Sequence, residues 1–497
     1  MWSRRSVLVS GIAVTLGAIL PTAPARAATG QARIGMASEP PHLDPTAGEE
    51  AGIAAVAYGN IFEGLTRIDD NDLVQPALAQ SWTISEDGLT YQFLLQQDVR
   101  FHDGSAFDAG HVVFSFTRLT DPHSQNPKRA LFEPIASVTA VDAANVSFRL
   151  KRPSADFLYN IGRPAAVIVA PESADNNKES PIGSGPFAFV DWTKGSRILF
   201  ERNEDYWGAH PKLTQVTLIF VADPATAISA LIANDLDGFP HFPAPELLEP
   251  FKAKEDFRLV VGTTESETLL VANNGKAPFN DLRVRQAIAH CIDRKAIIDG
   301  AMSGYGIPIG SHFSPLDAGY LDLAGTYPYD LAAAKNLLAG AGFPDGFATT
   351  LKLPPPGYAR RGGPIMAAQL AAIGIKATLI NVEWEQWLKE VFAGKDYDLT
   401  LISQIEPLDI GIYADPNYYF GYADQQFQAL MARINVTTDA VARKDLLEAA
   451  QKRLAEQAVN GYLFELAEIG VWKARLAGMW ANAPIEACPL GGLYWEQ

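Results

Sequence analysis

The chain has 497 residues, 48% hydrophobic and 20% charged, which suits about three globular units and excludes a disordered chain. Its 57 acidic against 40 basic side chains give a net charge of −17, and such a surface disfavours nucleic acid and anionic lipid as partners. The N-terminus is the exception. Arg4 and Arg5 precede an apolar stretch over 7–20, about 14 residues, too short to span a bilayer comfortably. Ala25-Arg26-Ala27 supplies an A-x-A cleavage site, so residues 1–27 are expected to be a removable signal peptide. Ser3-Arg4-Arg5-Ser6-Val7-Leu8 has the form of a twin-arginine signal, with general secretion as the alternative because Val7 replaces the usual Phe. Cleavage would leave 37 basic against 57 acidic side chains, or −20, and no cysteine at the new terminus to carry lipid. A soluble periplasmic protein is expected. Cys291 and Cys488 are expected to be buried free thiols, since nothing in their spacing assigns a disulfide.

In chain order, β-forming residues over 89–96 and the alternation of Val146, Phe148 and Leu150 predict half-buried strands. Asp142 to Asn145 is a turn, and a helix is expected over 110–117. The stretch 56–175 therefore looks like a β-rich unit. Strands are predicted over 198–201 and 216–221. Asp223 then caps a helix over 225–234, with Pro224 in its first turn. Asp330 caps a helix over 331–341, which Gly342 and Pro344 stop. A strand at 350–353, a helix at 362–372, a strand at 375–380, a helix at 385–392 and a strand at 397–403 follow. Right-handed crossovers make this run a parallel sheet. Ligands sit beyond the carboxyl ends of such strands, so the loops after Leu353, Ile380 and Ser403 should face a site.

Catalytic motifs are missing: no G-x-S-x-G, H-E-x-x-H, C-x-x-C or phosphate-binding loop occurs. Gly304-Tyr-Gly306 lacks the third glycine of a dinucleotide fingerprint. The eight histidines are scattered, with no pair at helical ligand spacing. Neither an enzyme nor a metal or other cofactor is expected.

Several segments together resemble the family 5 solute-binding proteins of ABC importers, the dipeptide, oligopeptide and nickel receptors. These are Leu43-Asp44-Pro45, Pro76-Ala-Leu-Ala-Gln-Ser-Trp82, Asp87-Gly88, Val99-Arg-Phe-His-Asp-Gly104, Gly183-Ser184-Gly185-Pro186-Phe187, Asn203-Glu-Asp-Tyr-Trp207, Pro278-Phe-Asn-Asp281, Arg283-Val-Arg285 and Tyr329-Asp330. They fall in the family's order over roughly 32–480. The resemblance implies an α/β, two-lobed periplasmic-binding-protein fold of type II, in its large three-segment variant. One lobe would combine 28–55, 176–270 and 470–497, with 56–175 as an extra subdomain. Residues 271–469 would form the second lobe, and crossings near Ala272 and Ala467 the hinge. A monomer is implied, capturing a small peptide or peptide-like solute by hinge closure and passing it to permease subunits. A nickel chelate, an opine or a sugar-derived solute is the alternative ligand, and a periplasmic hydrolase the rival from another class.

The resemblance also implies site residues. Glu406 falls on the acidic position that binds a peptide's free amine; relatives usually carry Asp there, so Glu reaches farther by one methylene. Asp409 matches an Asp that Pro follows in relatives, whereas Ile410 follows here. Relatives often place Trp just before this loop, where Ser403 and Gln404 stand, and Tyr413 or Tyr419 would compensate. A carboxylate-binding Arg expected near Leu353 is missing, leaving Arg360 and Arg361 as candidates. Glu39 and His42 flank a loop that faces the cleft in relatives, and Ser184 and Gly185 offer backbone donors. Trp82, Phe101 and Trp207 are expected in the core.

Overall fold

Strands rich in β-branched and aromatic residues dominate the computed structural model, which describes residues 30–497; the expected leader over 1–27 lies outside the described residues. One sheet runs through most of the molecule. Its order is Lys376–Asn381, Ala348–Leu353, Leu399–Gln404, Phe257–Ala272, Asn460–Lys473, Gly238–Phe239, Gln31–Met36, Gln215–Phe220, Arg197–Arg202 and Phe187–Thr193. The expected parallel run is present, since Ala348–Leu353 pairs in parallel with both Lys376–Asn381 and Leu399–Gln404. Asp330 and Asp223 cap their helices, Leu331–Gly340 and Pro224–Ile232, by accepting from first-turn amides. The helix expected at 362 instead starts at Gly357. Three prolines end the strand before it, and the glycines at 362 and 363 serve packing instead. A Cβ at Gly363 would meet the Leu353 side chain at 2.3 Å.

Two strands went unread in the sequence: Phe257–Ala272 and Asn460–Lys473, of 16 and 14 residues, which pair antiparallel along most of their length. They join the two halves of the sheet. Where they cross, the register breaks. Thr263 pairs with Ala467 and Glu267 with Glu465, so Thr264, Glu265 and Ser266 bulge opposite Leu466. Thr264 ties the bulge down, its amide donating to Glu465 Oε1 and its hydroxyl to the Leu466 carbonyl, both at 2.7 Å. Beyond the bulge the strand is apolar on both faces. Leu269 and Val271 pack with Tyr413, Phe427 and Leu454, whereas Leu270 and Ala272 pack with Val284, Ile297 and Leu370.

The stretch expected to be β-rich contains a separate antiparallel sheet, ordered Ala79–Ile84, Thr90–Leu95, Asn145–Leu150 and Ile135–Ala140. The helix Ala109–Thr120 covers it, and the Phe148 ring stands edge-on to Phe116 and Phe93 at 4.8 and 5.3 Å. Phe101 is buried there, with Trp82 and Trp207 partly buried against the same core. Cys291 and Cys488 are buried, unpaired and in different cores.

The Gly183-Ser184-Gly185 turn has a structural use. Its backbone runs so close to Asn60 and Ile61 that a Cβ at Gly185 would lie 2.3 Å from the Asn60 carbonyl oxygen. Gly185→Ala is therefore expected to destabilise the protein by about 1–3 kcal/mol, read from the denaturant midpoint, with ligand affinity of the folded fraction unchanged.

Candidate functional site

The strand Leu399–Gln404 ends beside the bulge, and the loop after it carries Ile405 and Glu406 to a cavity. Of the three loops expected to face a site, this one reaches a cavity. A first cavity of ≈ 290 Å³ lies against the bulge. Its walls are Met36 to Ser38, Ala51, Pro240 and His241, the bulge residues Thr264 to Ser266, Ile405, and Ala483 to Ala487. A second cavity of ≈ 120 Å³ adjoins it, sharing Ala51, Ile405, Ile485 and Glu486. Lys128, Arg163 and Glu406 line this second space.

Glu406 is held from the opposite side. Arg163 donates to its Oε2 at 2.7 Å and Lys128 donates to its Oε1. Burial pushes the Glu406 carboxyl up, but the Arg163 and Lys128 charges outweigh it and hold the group below the usual range. These two cations come from the β-rich unit, 243 and 278 residues away along the chain. Arg163 spends one of its five side-chain donors on Glu406, leaving others for a second anion.

The first cavity is acidic. Glu265 and Glu486 line it, and burial is the main cause raising both carboxyls. Glu468 is paired: His241 Nδ1 lies 2.7 Å from its Oε1, while Nε2 lies 3.2 Å from the Ala487 carbonyl oxygen. With acceptors at both ring nitrogens, the imidazolium is favoured. Burial opposes the charge on His241, but Glu468 outweighs it and raises the pKa.

Behind the bulge stands a second group of buried acids. Asp409 Oδ1 and His312 Nε2 are 2.5 Å apart, and Tyr413 Oη lies 3.2 Å from His312 Nδ1. Asn460 Nδ2 donates to the same phenol oxygen at 3.0 Å. Burial keeps the Tyr413 phenol protonated. Asp409 and Tyr413 thus act together on His312 rather than on either cavity. Burial and then Asp317 raise Glu267 and Glu465, the latter to about 8.

The remaining expected residues lie apart from the cavities. Ser184 is buried and donates to Glu63, while the Gly185 carbonyl faces His102 and Asn203. Arg360 donates to the Pro354 and Val382 carbonyls, and Arg361 to the Ala301 carbonyl and Glu246. Glu39 accepts from Trp192 Nε1 and the Gly195 amide. The His42 imidazole faces Gly48, within the segment that follows Glu39. The Tyr419 phenol accepts from Gln404. Sequence reasoning missed Lys128, Arg163, Glu265 and Glu486. An available signal was Glu265 and Glu267, two acids at strand spacing between the apolar runs over 259–261 and 269–272.

Comparison with known proteins agrees with this architecture. The model of the bacterial extracellular solute-binding proteins, family 5 Middle, matches residues 74–428. Heme-binding protein A of Haemophilus influenzae is 32% identical over 353 residues, which is 65% of this chain and 64% of that protein. A glutathione-binding protein of Salmonella paratyphi A is 31% identical over 356 residues, 70% of this chain and 69% of its own. The periplasmic binding protein of Helicobacter pylori solved with the peptide STSA has a TM-score of 0.78 at 26% identity, covering 94% of this chain and 98% of that one. With a family match over most of its length and a binding-protein fold, the chain belongs to the bacterial extracellular solute-binding proteins, family 5, and is a solute-binding receptor.

Proposed function

We propose that this receptor serves an ABC importer and captures a short peptide or peptide-like solute that carries both a free amine and a carboxylate. The observation that carries the proposal is the pair of joined cavities: Glu265, Glu468 and Glu486 line one, and Lys128 and Arg163 stand among Glu49, Glu50 and Glu406 in the other. A zwitterion laid across them would set its amine among the acids of the first cavity and its carboxylate against the Arg163 and Lys128 donors of the second. Arg163 supplies the carboxylate partner missing near Leu353. Glu406, held by Lys128 and Arg163, acts as a latch across the cleft. The combined space is at the low end of small-molecule sites, which favours two or three residues over a long peptide. The hinge of this reading is the bulge of Thr264 to Ser266, where the register of the two long strands breaks. Capture involves no bond chemistry; closure follows from tighter binding to the closed form. The receptor works in the periplasm as a monomer and hands its load to permease subunits.

Calorimetry with a dipeptide panel tests this. Free dipeptides should bind, and N-acetylation or C-terminal amidation should each cost about 2 kcal/mol or more, some 30-fold. Equal affinity for the blocked peptides would contradict it.

A further inference from the structure

Among the described residues, Asp72, Glu265 and Asp317 bring carboxylate oxygens within 4.8 Å of one another. All three residues are at least nine-tenths buried, at 6%, 3% and 6% exposure. They come from three places. Asp72 sits in the turn between the strands Thr66–Ile68 and Val74–Pro76, Glu265 in the hinge bulge, and Asp317 in the loop before Leu331–Gly340. Tyr159 donates to Asp72 Oδ1 at 2.7 Å and the Ser314 amide to Asp317 Oδ2 at 2.5 Å, fixing one oxygen of each. The Glu265 carboxyl shares a hydrogen bond with Asp317, and its Oε1 receives no donor from outside the trio.

A second unpartnered buried oxygen lies on the neighbouring long strand. Glu465, outside this trio, is 0% exposed and its Oε2 has no hydrogen-bond partner, whereas Glu267, 4% exposed, has its Oε2 4.0 Å from His312 Nε2. Both feel the Asp317 charge. His312 Nε2 lies 2.5 Å from Asp409 Oδ1 and 4.0 Å from Glu267 Oε2, and within pairing distance of none of the trio. Buried carboxyls without donors either stay protonated or need a cation to carry their charge. Three oxygens no more than 4.8 Å apart share a centre within about 2.8 Å of each, close to the 2.3–2.6 Å of calcium–oxygen bonds. A set made only of carboxylates selects a hard divalent cation over a soft one.

We propose that Asp72, Glu265 and Asp317, backed by Glu267 and Glu465, bind a hard divalent cation of the calcium class. Because one donor lies on the hinge and the others on opposite sides of it, the cation favours the closed arrangement. That coupling rests on the two-lobe receptor reading above, whereas the cation binding itself does not.

The test uses ligand-stripped full-length protein, cleared with chelator and titrated with calcium, magnesium and manganese chlorides by calorimetry and thermal unfolding. Calcium should bind with one equivalent per chain, raise the unfolding midpoint and reduce the radius of gyration in solution scattering. Asp72→Asn keeps an acceptor for Tyr159 and should weaken calcium at least ~10-fold, with dipeptide binding in chelator unchanged. Glu265→Gln should weaken calcium similarly, which covers a folding failure of the first variant. No response to any of the three ions at millimolar concentration would overturn the proposal. So would wild-type calcium affinity in both variants, or stabilisation by acid alone. Calcium binding without dipeptide binding would instead contradict the peptide reading and leave the cation site standing.

Discussion

Arg163→Met is expected to weaken binding of a free dipeptide by about 2–5 kcal/mol, at least 30-fold in Kd by calorimetry. The Arg163 side chain is 11% exposed, so its charge is largely withdrawn from water, and it meets Glu406 at 2.7 Å. Removing it deprives the solute's carboxylate of a partner. It also leaves Glu406 with Lys128 alone, weakening the contact that spans the cleft. Lys128 is more exposed, at 26%, and Lys128→Met should cost less, about 1 kcal/mol. The two effects of Arg163 can be separated. If the latch dominates, Glu406→Gln should reproduce most of the loss, and the double variant should be little worse than Arg163→Met. If direct contact with the solute dominates, Glu406→Gln should be mild and amidated dipeptides should be insensitive to Arg163→Met. Wild-type affinity in Arg163→Met would remove the second cavity from the site.

Ala51→Trp should abolish dipeptide binding, with an affinity loss beyond about 100-fold, while leaving the unfolding midpoint near that of the parent. Ala51 is the first residue of the helix Ala51–Ala57, is exposed, and lines both cavities where they join. An indole there would fill the neck without entering a core, so the cost falls on the ligand rather than on the fold. Retained affinity would mean that the solute lies elsewhere.

Much of the fold is legible in the residues because its causes are local. Asp223 and Asp330 announce helix starts through their own side chains, and the parallel run follows from alternating patterns with Gly and Pro between them. The hinge strands are harder to read. A polar stretch over 262–268, with Glu265 and Glu267 in it, separates two short apolar runs, and the bulge breaks the period where the chain crosses. Glu406 could be found from the rule for parallel sheets. Its partners could not, because Lys128 and Arg163 reach it only after the β-rich unit docks beside the hinge. Arg360 shows the reverse: a free cation in the sequence is committed to two carbonyls in the fold.

The central claim is that the joined cavities hold a small solute bearing an amine and a carboxylate. Native mass spectrometry of the exported protein, purified without chelation or dialysis, addresses it most directly. The account predicts a bound mass of two or three residues, released on denaturation, that reacts with an amine-selective reagent and is absent from Ala51→Trp. A bound neutral sugar, a heme or a metal chelate without a free amine would contradict it, as would a peptide still carried by Ala51→Trp.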